Sequence, residues 1–221
     1  DRIVSGGEDR FARVWDLEGH QLHALEHDWP VVAVAFAPDG KTLLTTSRDT
    51  RVPAPRGRGE VRLWSAAGAL LQRIDGHEPS AWNALYSPSG DRILTLGYDH
   101  VARVWDLEGN RLFALEGHEH SRVTAAFSPS GDRIVTSSAA SIRESRSVPC
   151  DVRMWSADGE LLKTLATHGG GVRCVRWSPD GERILSCSYD STARLYDGQG
   201  DPIAVIEEAD AIFMDGYFSP T

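Results

Sequence analysis

No apolar run in this chain approaches the ~18–20 residues that a membrane-spanning helix needs, so no such span is expected. Cysteine is scarce. Cys150, Cys174 and Cys187 form neither a CxxC nor a zinc spacing, which excludes a thiolate zinc module. So sparse and odd a set fits a reducing, cytoplasmic setting. Glycine-rich phosphate loops, HExxH and EF-hand patterns are missing as well, and no metal or cofactor is expected. Basic residues are in the minority, 23 against 32 acidic, and the net charge of −9 argues against a general binder of nucleic acid or of membrane surfaces. The same balance also serves solubility. There is no initiator Met and no signal-like start. The chain opens in mid-motif at Asp1-Arg2-Ile3-Val4, as a piece of a longer protein would.

What is present is a repeat. Trp15-Asp16, Trp64-Ser65, Trp105-Asp106, Trp155-Ser156 and, altered, Tyr196-Asp197 recur along the chain. About a dozen residues after each stands His27, His77, His118, His168 or, the fifth time, Ala209. Nine residues further come Phe36, Tyr86, Phe127, Trp177 and Phe218. In the unit 77–118, four runs read as strands joined by tight turns: Trp82 to Tyr86, Arg92 to Leu96, Val101 to Trp105 and Arg111 to Leu115. A unit of roughly 40 residues cannot bury its own apolar faces, and four-stranded meanders stacked radially form a propeller. The expected fold is all-β, a β-propeller of about five four-stranded antiparallel blades forming a single domain over residues 1–221.

A hydroxyl recurs in the second strand as Ser5, Thr45, Thr95, Thr136 and Ser186. Four residues later come Asp9, Asp49, Asp99, Ala140 and Asp190. With these residues the chain resembles, over essentially its full length, the WD40-repeat β-propeller family, and its near-identical tandem blades resemble bacterial members. The resemblance implies a hydrogen-bonded tetrad of His, Ser/Thr, Asp and Trp inside each blade. Carried over, His27-Thr45-Asp49-Trp64 and His77-Thr95-Asp99-Trp105 are complete. The set His118-Thr136-Trp155 lacks its Asp, His168-Ser186-Asp190 ends in Tyr196, and Ser5-Asp9-Trp15 has Ala209 where its His belongs. A Ser-His-Asp set also suggests a catalytic triad. A nucleophile, however, stands once at a special site and is not copied into every unit, so a structural role is expected.

Spacing between the motif aromatics alternates, 49, 41, 50 and 41 residues, with the extra length between the second and third strands. The first insertion carries Arg51, Arg56 and Arg58 among Pro and Gly; the second carries Arg143 and Arg146. Together they are expected to crown the rim that bears the His loops. They read either as a contact surface preferring acidic or phosphorylated partners or as solvated insertions of small cost. On the innermost strands Trp82, Arg122 and Arg173 form a recognition composition, although Trp82 also reads as core. Cys174 faces Cys187 if Asp180-Gly181 makes a two-residue turn, whereas a four-residue turn is expected to shift that register. Two buried thiols are expected there, not a disulfide.

The tail from Ile212 to Phe218 reads as a first strand and the head from Arg2 to Ser5 as a second. Hence the first blade is expected to be completed by the C-terminal strand; the alternative is a piece cut from a longer array. The resemblance implies a non-catalytic protein-protein interaction scaffold or sensor, linked to an upstream signalling domain. A propeller enzyme such as a five-bladed glycosidase needs paired carboxylates in the funnel, where Asp215 stands alone. A purely structural spacer is the third class.

Overall fold

The computed structural model describes residues 1–52, 56–139, 148–208 and 212–219. Chain packing divides the molecule into two compact units, Asp1–Asp99 with Arg103–Leu112, and His100–Ala102 with Phe113–Thr221. Every element among the described residues is a strand.

The first unit begins with an antiparallel sheet of β1 (Ile3–Gly6), β2 (Phe11–Trp15) and β3 (Gln21–Glu26). The second sheet runs β4 (Val31–Phe36), β5 (Thr42–Arg48), β6 (Gly59–Ser65) and β7 (Leu70–Ile74). The third runs β8 (Ala81–Tyr86), β9 (Ile93–Gly97), β10 (Ala102–Trp105) and β11 (Arg111–Leu115). Each strand neighbours the next in sequence, as short turns between antiparallel strands require. The sheets stack face to face. Ala12, Val14 and Leu25 of the first meet Val31, Leu43 and Trp64 of the second. Leu44, Val61, Leu63 and Ile74 of the second then meet Ala81, Ala84, Ile93 and Trp105 of the third. Burial on both faces explains why β5 and β9 are apolar or hydroxyl-bearing at successive positions and do not alternate with charge.

The second unit repeats the plan. One sheet is β12 (Arg122–Phe127), β13 (Arg133–Ala139), β14 (Cys150–Ser156) and β15 (Leu161–His168). The other is β16 (Val172–Trp177), β17 (Arg183–Ser188), β18 (Thr192–Asp197) and β19 (Pro202–Glu207). Val135, Val152 and Met154 pack against Val172, Val175, Ile184 and Tyr196 between them. The all-β architecture of blade-like four-stranded meanders thus stands as expected.

Two expectations change. The first sheet holds three strands among the described residues, and the tail does not complete it. Residues 212–219 form no strand pairing and lie instead against the last sheet. There the Phe213 amide donates to the Ser188 carbonyl at 3.2 Å, and Phe213 packs on Cys174, Cys187 and Ala193. Asp215 engages Arg176 with two bonds from one guanidinium nitrogen at 2.9 and 3.1 Å, and the Tyr217 ring lies under the same guanidinium. A charge-assisted pair plus a stacked ring holds the segment on this face. The second change concerns Cys174 and Cys187. They are direct cross-strand partners and both are free thiols. The intervening turn closes with Ser178 N to Arg183 O, leaving four residues in the loop. A four-residue loop centred on the same bond keeps the register that a two-residue turn would give, so the expected shift does not occur.

Candidate functional site

Inside the sheets the recurring polar side chains meet. In the third sheet the Trp105 indole N–H donates to Thr95 Oγ1 at 2.8 Å, and His77 Nε2 lies 2.8 Å from the same oxygen. Asp99 stands 2.8 Å from His77 Nδ1. The Arg103 guanidinium lies 2.7 Å from the same Nδ1, so the ring sits between a carboxylate and a cation. Burial would raise the Asp99 carboxyl, yet the bond from His77 and the Arg103 charge outweigh it and hold Asp99 below the usual carboxylate range. The last sheet copies this, with His168 2.8 Å from Ser186 Oγ and 2.9 Å from Asp190.

The set at His27 is different from what the repeat implies. His27 Nε2 meets Thr45 Oγ1 at 2.7 Å and Trp64 donates to that oxygen at 2.8 Å, but Nδ1 bonds the Leu25 carbonyl at 2.9 Å. Asp49 is engaged by Arg51, whose Nε and terminal nitrogen donate at 2.9 and 3.0 Å. Arg51 comes from the insertion, and its guanidinium competes successfully for the carboxylate. Accordingly the tetrad His27-Thr45-Asp49-Trp64 is a triad closed by a backbone carbonyl. In the sheet of His118 the bonds to Thr136 from His118 and Trp155 are each 2.7 Å, and His118 Nδ1 is buried without a partner among the described residues. The Tyr196 hydroxyl is buried too, and burial pushes its pKa up against the lowering effect of Ser186 and Arg194 beside it. In the first sheet Trp15 donates to Ser5 at 2.9 Å.

One recurring residue escaped the sequence reading. Two positions before each motif aromatic stands an arginine: Arg13, Arg62, Arg103, Arg153 and Arg194. Arg13 pairs with Asp9 at 2.6 Å, Arg103 with Asp99 at 2.6 Å and Arg153 with Asp151 at 3.2 Å. Arg194 donates to the Thr167 carbonyl at 3.3 Å. Arg62, buried, pairs with the buried Glu60 at 2.5 Å and donates to the Glu26 carbonyl at 2.8 Å. Their fixed spacing from the aromatic was the available signal.

Of these arginines, Arg103 lines a cleft in the first unit. It encloses about 1210 Å³ between the insertion, the loop after β3 and the loop after β7, with Trp29, Arg56, Arg58, Arg73, Glu78 and Arg103 among its lining residues. The insertion base is tied down by Asp49 N to Arg58 O at 2.8 Å and Arg48 N to Pro30 O at 3.0 Å. Arg56 and Arg58 are exposed and carry no ion pair among the described residues. Glu60 and Asp99, by contrast, are already engaged by arginines. Arg51 is committed to Asp49. Trp82 is half-buried on β8 and does not line the cleft; Arg122 and Arg173 are half-buried on β12 and β16 of the second unit. Arg143 and Arg146 lie outside the described residues.

Asp16, Glu18 and His20 bring three potential ligand atoms within 4.8 Å in an exposed turn. Asp16 is occupied there by the His20 backbone amide at 2.8 Å and its Nδ1 at 2.9 Å.

The sequence signature of the family described as "WD domain, G-beta repeat" matches residues 19–52, 68–106, 109–143 and 159–197. Autophagy-related protein 16 of Arabidopsis thaliana is 31% identical over 101 residues, 45% of this chain and 18% of that protein. Nuclear distribution protein nudF of Aspergillus terreus is 28% identical over 115 residues, and nuclear distribution protein PAC1-1 of Uncinocarpus reesii 29% over 115. Each of these two matches covers 46% of this chain and 26% of the relative. The matched segments thus span about a quarter or less of these relatives, which come from a plant and two fungi.

Proposed function

The chain belongs to the WD40-repeat family, and on that premise we propose that it is a non-catalytic protein-interaction scaffold acting through the cleft of the first unit. The observation that carries the reading is the pair Arg56 and Arg58, exposed beside Trp29 and carrying no ion pair among the described residues. An unpaired guanidinium offers planar bidentate donors to a carboxylate or phosphate, and an aromatic neighbour adds contact area. Asp75 and Glu78 line the same cleft. They disfavour a uniformly acidic run and leave room for a partner that presents a single acidic or phosphorylated side chain to the arginine side.

Catalysis by four of the five recurring hydroxyls is disfavoured by access. Thr45, Thr95, Thr136 and Ser186 are fully buried, and each has an imidazole on it, so no substrate reaches one. Asp215 is engaged by Arg176 and is not free to act as an acid or base. Residues 1–221 are proposed to act as a single domain, in a cytoplasmic signalling assembly of bacterial type with an upstream switch domain. A pull-down from lysate with the wild-type chain should recover partners that an Arg56→Ala/Arg58→Ala variant loses. Recovery of the same set by both, or of nothing above background by either, removes the reading. Stoichiometric labelling by a serine-directed fluorophosphonate would remove its non-catalytic part.

A further inference from the structure

Three of the recurring imidazoles occupy the same place in their sheets, and one of them lacks the carboxylate that the other two hold. His77 Nδ1 lies 2.8 Å from Asp99, and His168 Nδ1 lies 2.9 Å from Asp190. Asp99 and Asp190 each stand four residues after the hydroxyl that bonds Nε2 of the same ring. For His118 that position in the sequence is Ala140, which lies outside the described residues and is a residue type without an acid. His118 Nε2 keeps its bond to Thr136 at 2.7 Å, but Nδ1 is buried with no partner among the described residues.

The His118 ring, 6% exposed, borders a cavity of about 190 Å³ lined also by Glu119, His120, Ser138, Pro149 and Asp151, all within the second unit. One water takes about 30 Å³ of liquid, so the space suits an acid of a few heavy atoms. Asp151, the acid on this wall, is already spent on the Arg153 guanidinium at 3.2 Å and the Thr167 hydroxyl at 2.7 Å. Arg153 is the counterpart of Arg103, which bonds Asp99 at 2.6 Å. Burial, with the Arg153 charge next, holds His118 down to about 4, so the ring is neutral at physiological pH. Thr136 accepts from the Trp155 indole and still has its own hydroxyl proton to give His118 Nε2. Nδ1 can then carry the ring's hydrogen and donate it. A buried donor without an acceptor is costly, and a ligand that supplies the acceptor removes that cost.

We propose that the cavity beside His118 is a carboxylate-binding site, in which an oxygen of the ligand accepts from Nδ1 as Asp99 and Asp190 do for His77 and His168. The ligand is a short acid, either free or the side chain of an aspartate or glutamate brought by a partner protein. Arg153 favours the incoming charge and Glu119 opposes it. The site stands whether or not the cleft of the first unit binds a partner.

Sodium acetate titrated into the 221-residue chain at neutral pH and constant ionic strength tests this, read by NMR at the His118 ring nitrogens. The resonances should shift saturably in the millimolar range, and neither acetamide nor chloride should shift them. Ala140→Asp puts the acid on the chain at the place where the other sheets have it. That variant should show the His118 ring already shifted, no response to acetate and a higher Tm than the wild type. Glu119 is exposed, so Glu119→Gln should fold as the wild type does and, with a like charge removed, bind acetate severalfold more tightly. A glutamate blocked at both its amino and α-carboxyl groups separates the sources. Its binding alongside acetate points to a partner's side chain, and binding of acetate alone points to a free acid. No saturable shift at His118, an equal shift with acetamide or chloride, an undiminished response in Ala140→Asp or an unchanged affinity in Glu119→Gln overturns the proposal.

Discussion

One buried hydroxyl ties together two neighbours that could not otherwise be satisfied. Thr95 accepts from the Trp105 indole and bonds the His77 imidazole, each at 2.8 Å, with no solvent within reach. Thr95→Val keeps the shape and removes both bonds. Each stranded group costs ~1–3 kcal/mol, so urea unfolding should show a loss of about 2–4 kcal/mol, while Thr95→Ser should recover most of it. Unchanged stability in Thr95→Val would mean that the hydroxyl carries little. The hydroxyl, the imidazole and the indole were legible from their recurrence. The diversion of Asp49 to Arg51 was not, because it depends on how an insertion folds back over two residues and not on repeat spacing. The arginines two positions before each aromatic were legible and passed over, since a charged residue inside a strand reads first as a solvated face.

At the scale of the strand and its turn, local chemistry decided most of the outcome. Gly40, Gly90, Gly131 and Gly181 close the Pro-containing turns at φ 67, 77, 76 and 74°, in the left-handed region that glycine enters without penalty. Around Gly40 no atom lies within 4 Å of where a Cβ would be, so Gly40→Ala isolates backbone strain from crowding. It should lower stability by about 1 kcal/mol, read as an equal loss by thermal and chemical unfolding; a loss of several times that would point to contacts instead. Turn and strand positions were visible in the sequence because Pro, Asp and Gly mark them. The tail was not. Its pattern matches a first strand, but whether a strand pairs depends on which edge is available to it, and that information lies in the assembled sheets.

For the whole molecule, burial of histidine couples stability to acidity. His27 and His118 are both held down to about 4, chiefly by burial and further by Arg62 and Arg153 respectively, and His168 is lowered by burial too. An unfolded imidazole takes up its proton near 6.5. Between that value and about 4 the unfolded chain binds protons that the folded chain refuses, so stability is complete above roughly pH 6.5 and is lost as pH falls. For two protons the slope reaches about 3 kcal/mol per pH unit. Melting followed by tryptophan fluorescence should show Tm falling steeply over that window, with one transition if the chain unfolds as a single domain. A flat Tm between pH 6.5 and 4 would mean that these rings charge freely in the folded state. The repeat announced the architecture early because each blade needs its neighbours and so must restate the same residues. The exposure of Ile3 and Ile206 was not legible, since it is set by packing that repeat spacing does not encode.

The strap formed by residues 212–219 also covers something chemically reactive. Gly216 leaves no space for a side chain above the Cys187 sulfur, and Phe213 packs on both facing thiols. Alkylation of Cys174 and Cys187 must therefore wait for the strap to lift, so the pace of thiol modification is a clock for how often the end of the chain lets go.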